Sequence, residues 1–179
     1  FHASGVLAIN EDLTCWLSDS LRSCNCKIPV WAPPNETIQF LLSKQRQIEV
    51  ARLVGFDILP TYLIDCRLDT MDAIPDTHFP LCLRPDDPRS LHPSFKVRLV
   101  DSRSDLINFL YQIERLDKPL LGQPFANLPN LVVHGARTIK GKPIGLQAFI
   151  VNHKFQGVTL TIRPFPLEDT LRKRCIEFA

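Results

Sequence analysis

Fifteen prolines against seven glycines in 179 residues constrain this chain before any other feature does. Each proline holds φ near −65° and removes a backbone donor, and so few glycines leave few positions that reach φ > 0 cheaply. Turns must therefore be built from proline, and a site that needs a glycine-rich loop is disfavoured. Ala32-Pro33-Pro34-Asn35 forces an extended connection, where a subdomain boundary is expected. Pro85, Pro88 and Pro93 make a stiff loop of the segment between them.

The length allows one medium domain or two small lobes, and about 68–70% of the unfolded surface can be buried at this size. With 45% hydrophobic and 22% charged residues, disorder, collagen-like repeats and coiled coils are excluded. A formal charge of +2 gives no basis for nucleic-acid binding, and apolar runs of only a few residues give none for a membrane span. Cys15, Cys24, Cys26, Cys66, Cys82 and Cys175 show no framework spacing and read as reduced thiols of a cytoplasmic protein. The chain starts at Phe1 with no signal-peptide pattern, and is expected to be cut from something longer.

Periodicity predicts the elements. Strands over Gly5 to Ile9 and Ile28 to Trp31 flank a helix from about Asn10, with Leu13, Trp16, Leu17 and Leu21 as its buried stripe. A second helix runs from about Lys44 to Val54, capped by Ser43 and closed by Gly55 at C′. Extended runs follow at Ile58 to Ile64, Phe79 to Leu83 and Val97 to Val100. Ser102 and Asp105 open a helix carrying Leu106, Leu110, Ile113 and Leu116. Leu131 to Val133, a turn at Lys140-Gly141, and the alternation of Ile144, Leu146, Ala148 and Ile150 predict an antiparallel hairpin. A last helix covers Leu167 to Ala179, with Leu171, Cys175 and Phe178 on one stripe, and it stops without a cap, as truncation would leave it.

The stretch Ser43-Lys44-Gln45-Arg46 to Gly55, then Ile58-Leu59-Pro60-Thr61, then Phe79-Pro80-Leu81-Cys82-Leu83-Arg84-Pro85 resembles the start of an ATP-grasp domain. In that family a lysine opens a helix that ends in glycine, a Pro-Thr strand follows, and a Phe-Pro strand delivers a basic residue before proline. The resemblance continues through Gln123-Pro124-Phe125 and the hairpin, over about residues 37 to 179. It implies an α/β chain (α+β within the lobes). Residues 1–36 would end a Rossmann-like subdomain, 37–122 form the N-terminal lobe, and 123–179 start the C-terminal lobe of a partial ATP-grasp domain. It also implies an ATP-dependent carboxylate-amine or carboxylate-thiol ligase, in which Lys44 and Arg84 bind phosphates and Gln123, Pro124 and Phe125 supply the adenine hinge. Lys154 and Arg163, beyond the hairpin, are further candidates for phosphate or an acidic substrate.

A guanidinium at the end of a buried strand can present a fork to two phosphate oxygens, whereas a first-turn lysine acts as a mobile point charge. The same residues also fit blander roles. Lys44 reads as a solvated surface lysine, Arg84 as a partner of Asp86 or Asp87, and Gln123 to Phe125 as an interlobe linker. Two departures count against catalysis: residues 85–95 contain no glycine to close over phosphates, and the family's magnesium ligands are expected beyond Ala179. A degenerate nucleotide-binding module or a plain interaction domain therefore stands as the alternative. No catalytic residue is assigned. Cys24-Asn25-Cys26 lacks the partners of a metal site, and the five histidines fall into no metalloprotease spacing. The carboxylate substrate and the oligomeric state are not readable from the sequence.

Overall fold

Leu81, Leu83 and Pro85 alternate with Cys82 and Arg84, and a strand with this pattern buries one side only. In the computed structural model, which describes residues 5–8, 11–24, 28–29, 35–65, 68–138, 140–155 and 158–178, the first three side chains are buried and Arg84 is exposed. The chain divides into two units, residues 1–49 with 59–124 and residues 50–58 with 125–179. The content is mixed helix and antiparallel sheet, an α+β arrangement.

In the first unit, α1 (Glu11–Ser23), α2 (Asn35–Leu42) and α3 (Lys44–Leu53, whose last turns lie in the second unit) precede β1 (Tyr62–Ile64). Then come α4 (Leu68–Asp72), β2 (Leu81–Pro85), β3 (Leu91–His92), β4 (Arg98–Val100), α5 (Arg103–Leu110), β5 (Arg115–Leu116) and β6 (Leu120–Pro124). An antiparallel sheet has the order β1-β6-β2-β4, and β3 and β5 form a separate two-stranded ribbon. One sheet face carries Ile64, Leu81, Leu83, Val100 and Leu120, all fully buried with Ile74 and Leu106. Gly122 sits on this face opposite Tyr62 and Leu83, and a Cβ there would lie 2.5 Å from Ile64 Cδ1. Arg103 ties the start of α5 to the preceding turns, donating to the carbonyl of Ile74 at 2.6 Å and to Asp76 at 2.9 Å.

The second unit holds β7 (Leu131–Arg137), β8 (Pro143–Phe155), β9 (Val158–Phe165) and α6 (Asp169–Phe178), with the end of α3. Gly55, at φ +86, closes α3 in a Schellman turn: its N–H donates to the carbonyl of Arg52 at 3.1 Å and that of Phe56 to Ala51 at 2.9 Å. The Phe56 ring then meets Phe178 of α6 edge-on, 6.2 Å between centroids. Gly141, at φ +77, makes the predicted hairpin turn between β7 and β8.

Several expectations are corrected. Among the described side chains of α1 the buried one is Cys15, packed with Ile38 and Leu42, whereas Leu13 is 42% and Trp16 62% exposed and the Leu21 side chain lies outside those described. The neighbouring α2, which periodicity did not predict, decides which side of α1 is covered. The helix over Ser102 ends at Leu110, where i→i+3 bonds from Gln112 to Phe109 and from Ile113 to Leu110 tighten the last turn. Ile113 and Leu116 still pack on the core, from the loop and from β5, so helical spacing and core contact coincided without a continuous helix. Of the run Ile58 to Ile64 only the last three residues form a strand, and α4 follows, an element the sequence pattern does not announce. The strand β9 was not foreseen, so the hairpin is a three-stranded sheet. Around α1, Val6 donates to the Pro29 carbonyl at 2.9 Å, while Asn10, Val30 and Trp31 fall outside the described residues.

Gly122→Ala is expected to destabilise the protein by about 1–3 kcal/mol, because Ile64 is fully buried and cannot swing aside. Chemical denaturation monitored by circular dichroism measures it.

Candidate functional site

Position in the register decides what surrounds Arg84. It pairs with Leu121 of β6, which pairs in turn with Leu63 of β1. The neighbouring row on the same face holds Gln123, Cys82 and Leu99. This outer face presents an apolar bed, with Leu63 44% and Leu99 42% exposed, and Arg84 supplies its charge. Among the described residues the Arg84 guanidinium makes no hydrogen bond or ion pair. Burial pushes the Cys82 thiol up, and the opposing pull comes from the nearby Arg84 charge.

The bland assignment of Arg84 to Asp86 or Asp87 does not hold, because both carboxylates are taken by other groups. Asp87 is buried, caps the short 3₁₀ turn Pro88–Ser90 through the Arg89 N–H at 3.0 Å, and grips the Arg89 guanidinium at 3.0 and 2.7 Å. The Arg89 hydrogen bond holds the Asp87 carboxyl below the usual range, with burial opposing it, and drives the arginine further up. Asp86, also buried, reaches the start of α3. It accepts from Ser43 Oγ at 2.9 Å and from the Gln45 N–H at 2.8 Å, while its own carbonyl accepts from the Lys44 N–H at 3.2 Å. Ser43 caps the helix as expected, its Oγ accepting from the Arg46 N–H at 3.3 Å. Lys118 lies 3.9 Å from Asp86 and 3.8 Å from Asp87. A polar depression of about 290 Å³ opens here, lined by Ser43, Gln45, Arg46, Asp86 and Lys118 among others.

Lys44 therefore begins α3 where the chain leaving Arg84 docks, and among the described residues its ammonium has no ion pair. Gln123 is engaged: its amide donates to Thr61 Oγ at 2.8 Å, and that hydroxyl donates to the Leu59 carbonyl at 2.9 Å. Pro124 ends β6 opposite Leu81, and Phe125, 48% exposed, begins the second unit. Lys154 and Arg163 lie beyond the β7–β8 pairing, in the β8–β9 pairing of the same sheet. Lys154 pairs with Thr159 next to a register shift, and Arg163 pairs with Ile150, both exposed. These two belong to the second unit, whereas Lys44, Arg84, Gln123 and Pro124 belong to the first. The sequence names Asp86 only as a partner for Arg84 and does not single out Lys118, since nothing in a Pro-Asp-Asp-Pro loop tells which carboxylate will face a helix start.

No family model matches the sequence, and no curated protein matches it. Solved structures do. N5-carboxyaminoimidazole synthase from Aspergillus clavatus, solved with ADP and 5-aminoimidazole ribonucleotide, superposes with a TM-score of 0.67 at 14% identity, covering 98% of this chain and 45% of that one. D-alanine–D-alanine ligase from Bacillus anthracis, solved with ATP, gives 0.64 at 15% identity over 98% of this chain and 58% of that one. An ATP-grasp ligase solved with a minimal precursor, Mg and ADP gives 0.53 at 12%, over 93% and 49%. The chain has an ATP-grasp fold. It spans about half the length of the ATP-grasp structures it matches.

The segment after Arg84 is tied to the residues around β5. Ser90 accepts from the Asp117 N–H at 2.8 Å, His92 from the Glu114 N–H at 3.0 Å, and the Ser90 hydroxyl donates to the Asp87 carbonyl at 2.7 Å. Among the described residues no three His, Cys, Asp or Glu side chains gather to hold a metal ion, and no helix is long and apolar enough to cross a membrane. Cys15, Cys24, Cys82 and Cys175 are free thiols, and burial raises the Cys175 thiol as it does Cys82. Asn25, Cys26 and Cys66 lie outside the described residues.

Asp87→Asn is expected to lower stability at neutral pH by about 1 kcal/mol, a modest figure because Arg89 is partly exposed. A carboxyl depressed in the folded state stabilises above its unfolded value near 3.9, and that contribution fades as pH falls through the folded value. The variant and the parent protein should therefore converge in melting temperature as pH drops below about 4. Thermal melts across pH measure this.

Proposed function

We propose that this chain is the ATP-binding portion of an ATP-grasp ligase that activates a carboxylate as an acyl phosphate for attack by an amine or thiol. The observation that carries the reading is a pair of cations on the first unit that form no ion pair among the described residues. Arg84 stands at the exposed side of a central strand, and Lys44 begins the helix bonded to the residues just after it. Triphosphate binding needs positive groups held by rigid elements, because phosphoryl transfer relies on positioning and on offsetting oxygen charge. Arg84 would grip phosphate oxygens with its fork, and Lys44 would add a point charge. Gln123, Pro124 and Phe125 would border the base, with Leu63, Leu99 and Cys82 as apolar ground. The ATP or ADP bound in the solved ATP-grasp neighbours supports nucleotide binding here. In such a ligase the carboxylate oxygen attacks the γ-phosphorus and ADP leaves. The amine or thiol then attacks the acyl carbon, forming the new bond as phosphate departs with the electron pair. Magnesium would belong to the whole protein. The described residues offer it no ligand set.

A second reading, nucleotide binding without catalysis, is favoured by the glycine-free, tied-down segment 85–95, which has few amides to fold over a phosphate. Magnesium-dependent ATP turnover by the whole protein separates the two.

ATP or ADP at 100 times its dissociation constant is expected to stabilise the protein by about 2.7 kcal/mol, seen as a rise in melting temperature. Arg84→Ala, at an exposed position, should keep the unliganded melting temperature and lose most of that rise. An unchanged rise in the variant would remove Arg84 from the site, and no rise in the parent protein would overturn the nucleotide reading.

A further inference from the structure

The start of α3 has an occupant of its own. An α-helix begins with backbone N–H groups that have no partner inside the helix, and a phosphate is one way to satisfy them. Here the Asp86 carboxylate fills that role. One of its oxygens takes the Gln45 N–H at 2.8 Å and the Ser43 hydroxyl at 2.9 Å, and the second oxygen lies 3.2 Å from the same hydroxyl. The Lys44 N–H goes to the Asp86 carbonyl at 3.2 Å. Ser43 Oγ accepts from the Arg46 N–H at 3.3 Å, so the carboxylate, the serine and the first helical amides form one closed network. The carboxylate is almost fully buried, and Lys118 offsets its charge from 3.9 Å.

Such a network does two things at once. It removes the helix amides as phosphate donors, so any contact from this element must come from the Lys44 ammonium. It also ties the main chain at Lys44 to a residue two positions beyond Arg84, so the two cations are held by one set of bonds. We propose that Asp86 is a positioning residue that holds Lys44 and Arg84 in register for a polyphosphate, acting through the first turn of α3 without touching the ligand. This rests on the nucleotide reading above. It adds that the pair works as a unit whose geometry depends on a carboxylate neither cation contacts through its side chain.

The test is a double-mutant cycle on ADP affinity, measured by isothermal titration calorimetry on the parent protein, Lys44→Ala, Asp86→Ala and the double variant. If Asp86 acts through the helix start, Asp86→Ala weakens ADP about tenfold in the parent and by less than twofold once Lys44 is gone, since residues of one network couple strongly. Asp86→Asn keeps an acceptor for the Gln45 N–H and should recover most of the affinity. It also serves if the alanine variant does not fold. Asp87→Asn loses stability at the neighbouring carboxylate and should leave ADP affinity unchanged. Equal losses from Asp86→Ala in both backgrounds, or a loss in Asp87→Asn as large as in Asp86→Ala, would overturn the positioning role and leave nucleotide binding standing. No ADP binding by the parent protein would overturn both.

Discussion

Strand β2 has neighbours on both edges, β6 and β4, so its register is locked and its side chains have only two directions available. Everything notable in the first unit follows from that lock. Leu81 and Leu83 go inward to a core that excludes water, and the residue between Leu83 and Pro85 must face out. A charge at that position is anchored at its base by buried backbone and free at its tip. That combination sets Arg84 apart from Lys44, which opens a helix, and from Arg163, which sits on an edge strand.

The immediate sequel of the strand matters as much. Pro85 is buried, Asp86 turns to α3, and Asp87 turns to Arg89, so three successive residues are committed to three different contacts. A segment fixed this way has little conformational entropy left to lose and little freedom to rearrange around a ligand. The proline content thus shows up as a structural property of one particular loop.

Much of this was legible in the residues. The cap at Ser43, the stop at Gly55, the cap at Ser102 and the turn at Gly141 each depend on a local rule, and local rules survive translation into three dimensions. What could not be read depended on partners far along the chain. Cys15 rather than Trp16 is covered because of where α2 packs, and Ile113 reaches the core without being helical because β5 pairs with β3. Of the candidate cations, Arg84 and Lys44 were singled out by the resemblance, Lys44 also by its place just after the Ser43 cap. The strand that holds Arg163 was not readable, because β9 shows its pairing only through the long β8, with its two register shifts. What Asp86 bonds to was not readable either, because its partners lie 41 to 43 residues away.

The turn at Gly55 and Phe56 belongs to the second unit, yet its aromatic partner, Phe178, is the last residue of α6. During synthesis the ribosome releases Phe56 long before Phe178 exists, so this packing waits until the chain has emerged through Phe178. The second unit is stitched from two separate stretches of polypeptide. A piece cut to begin at Phe125 would lack one wall of its own packing.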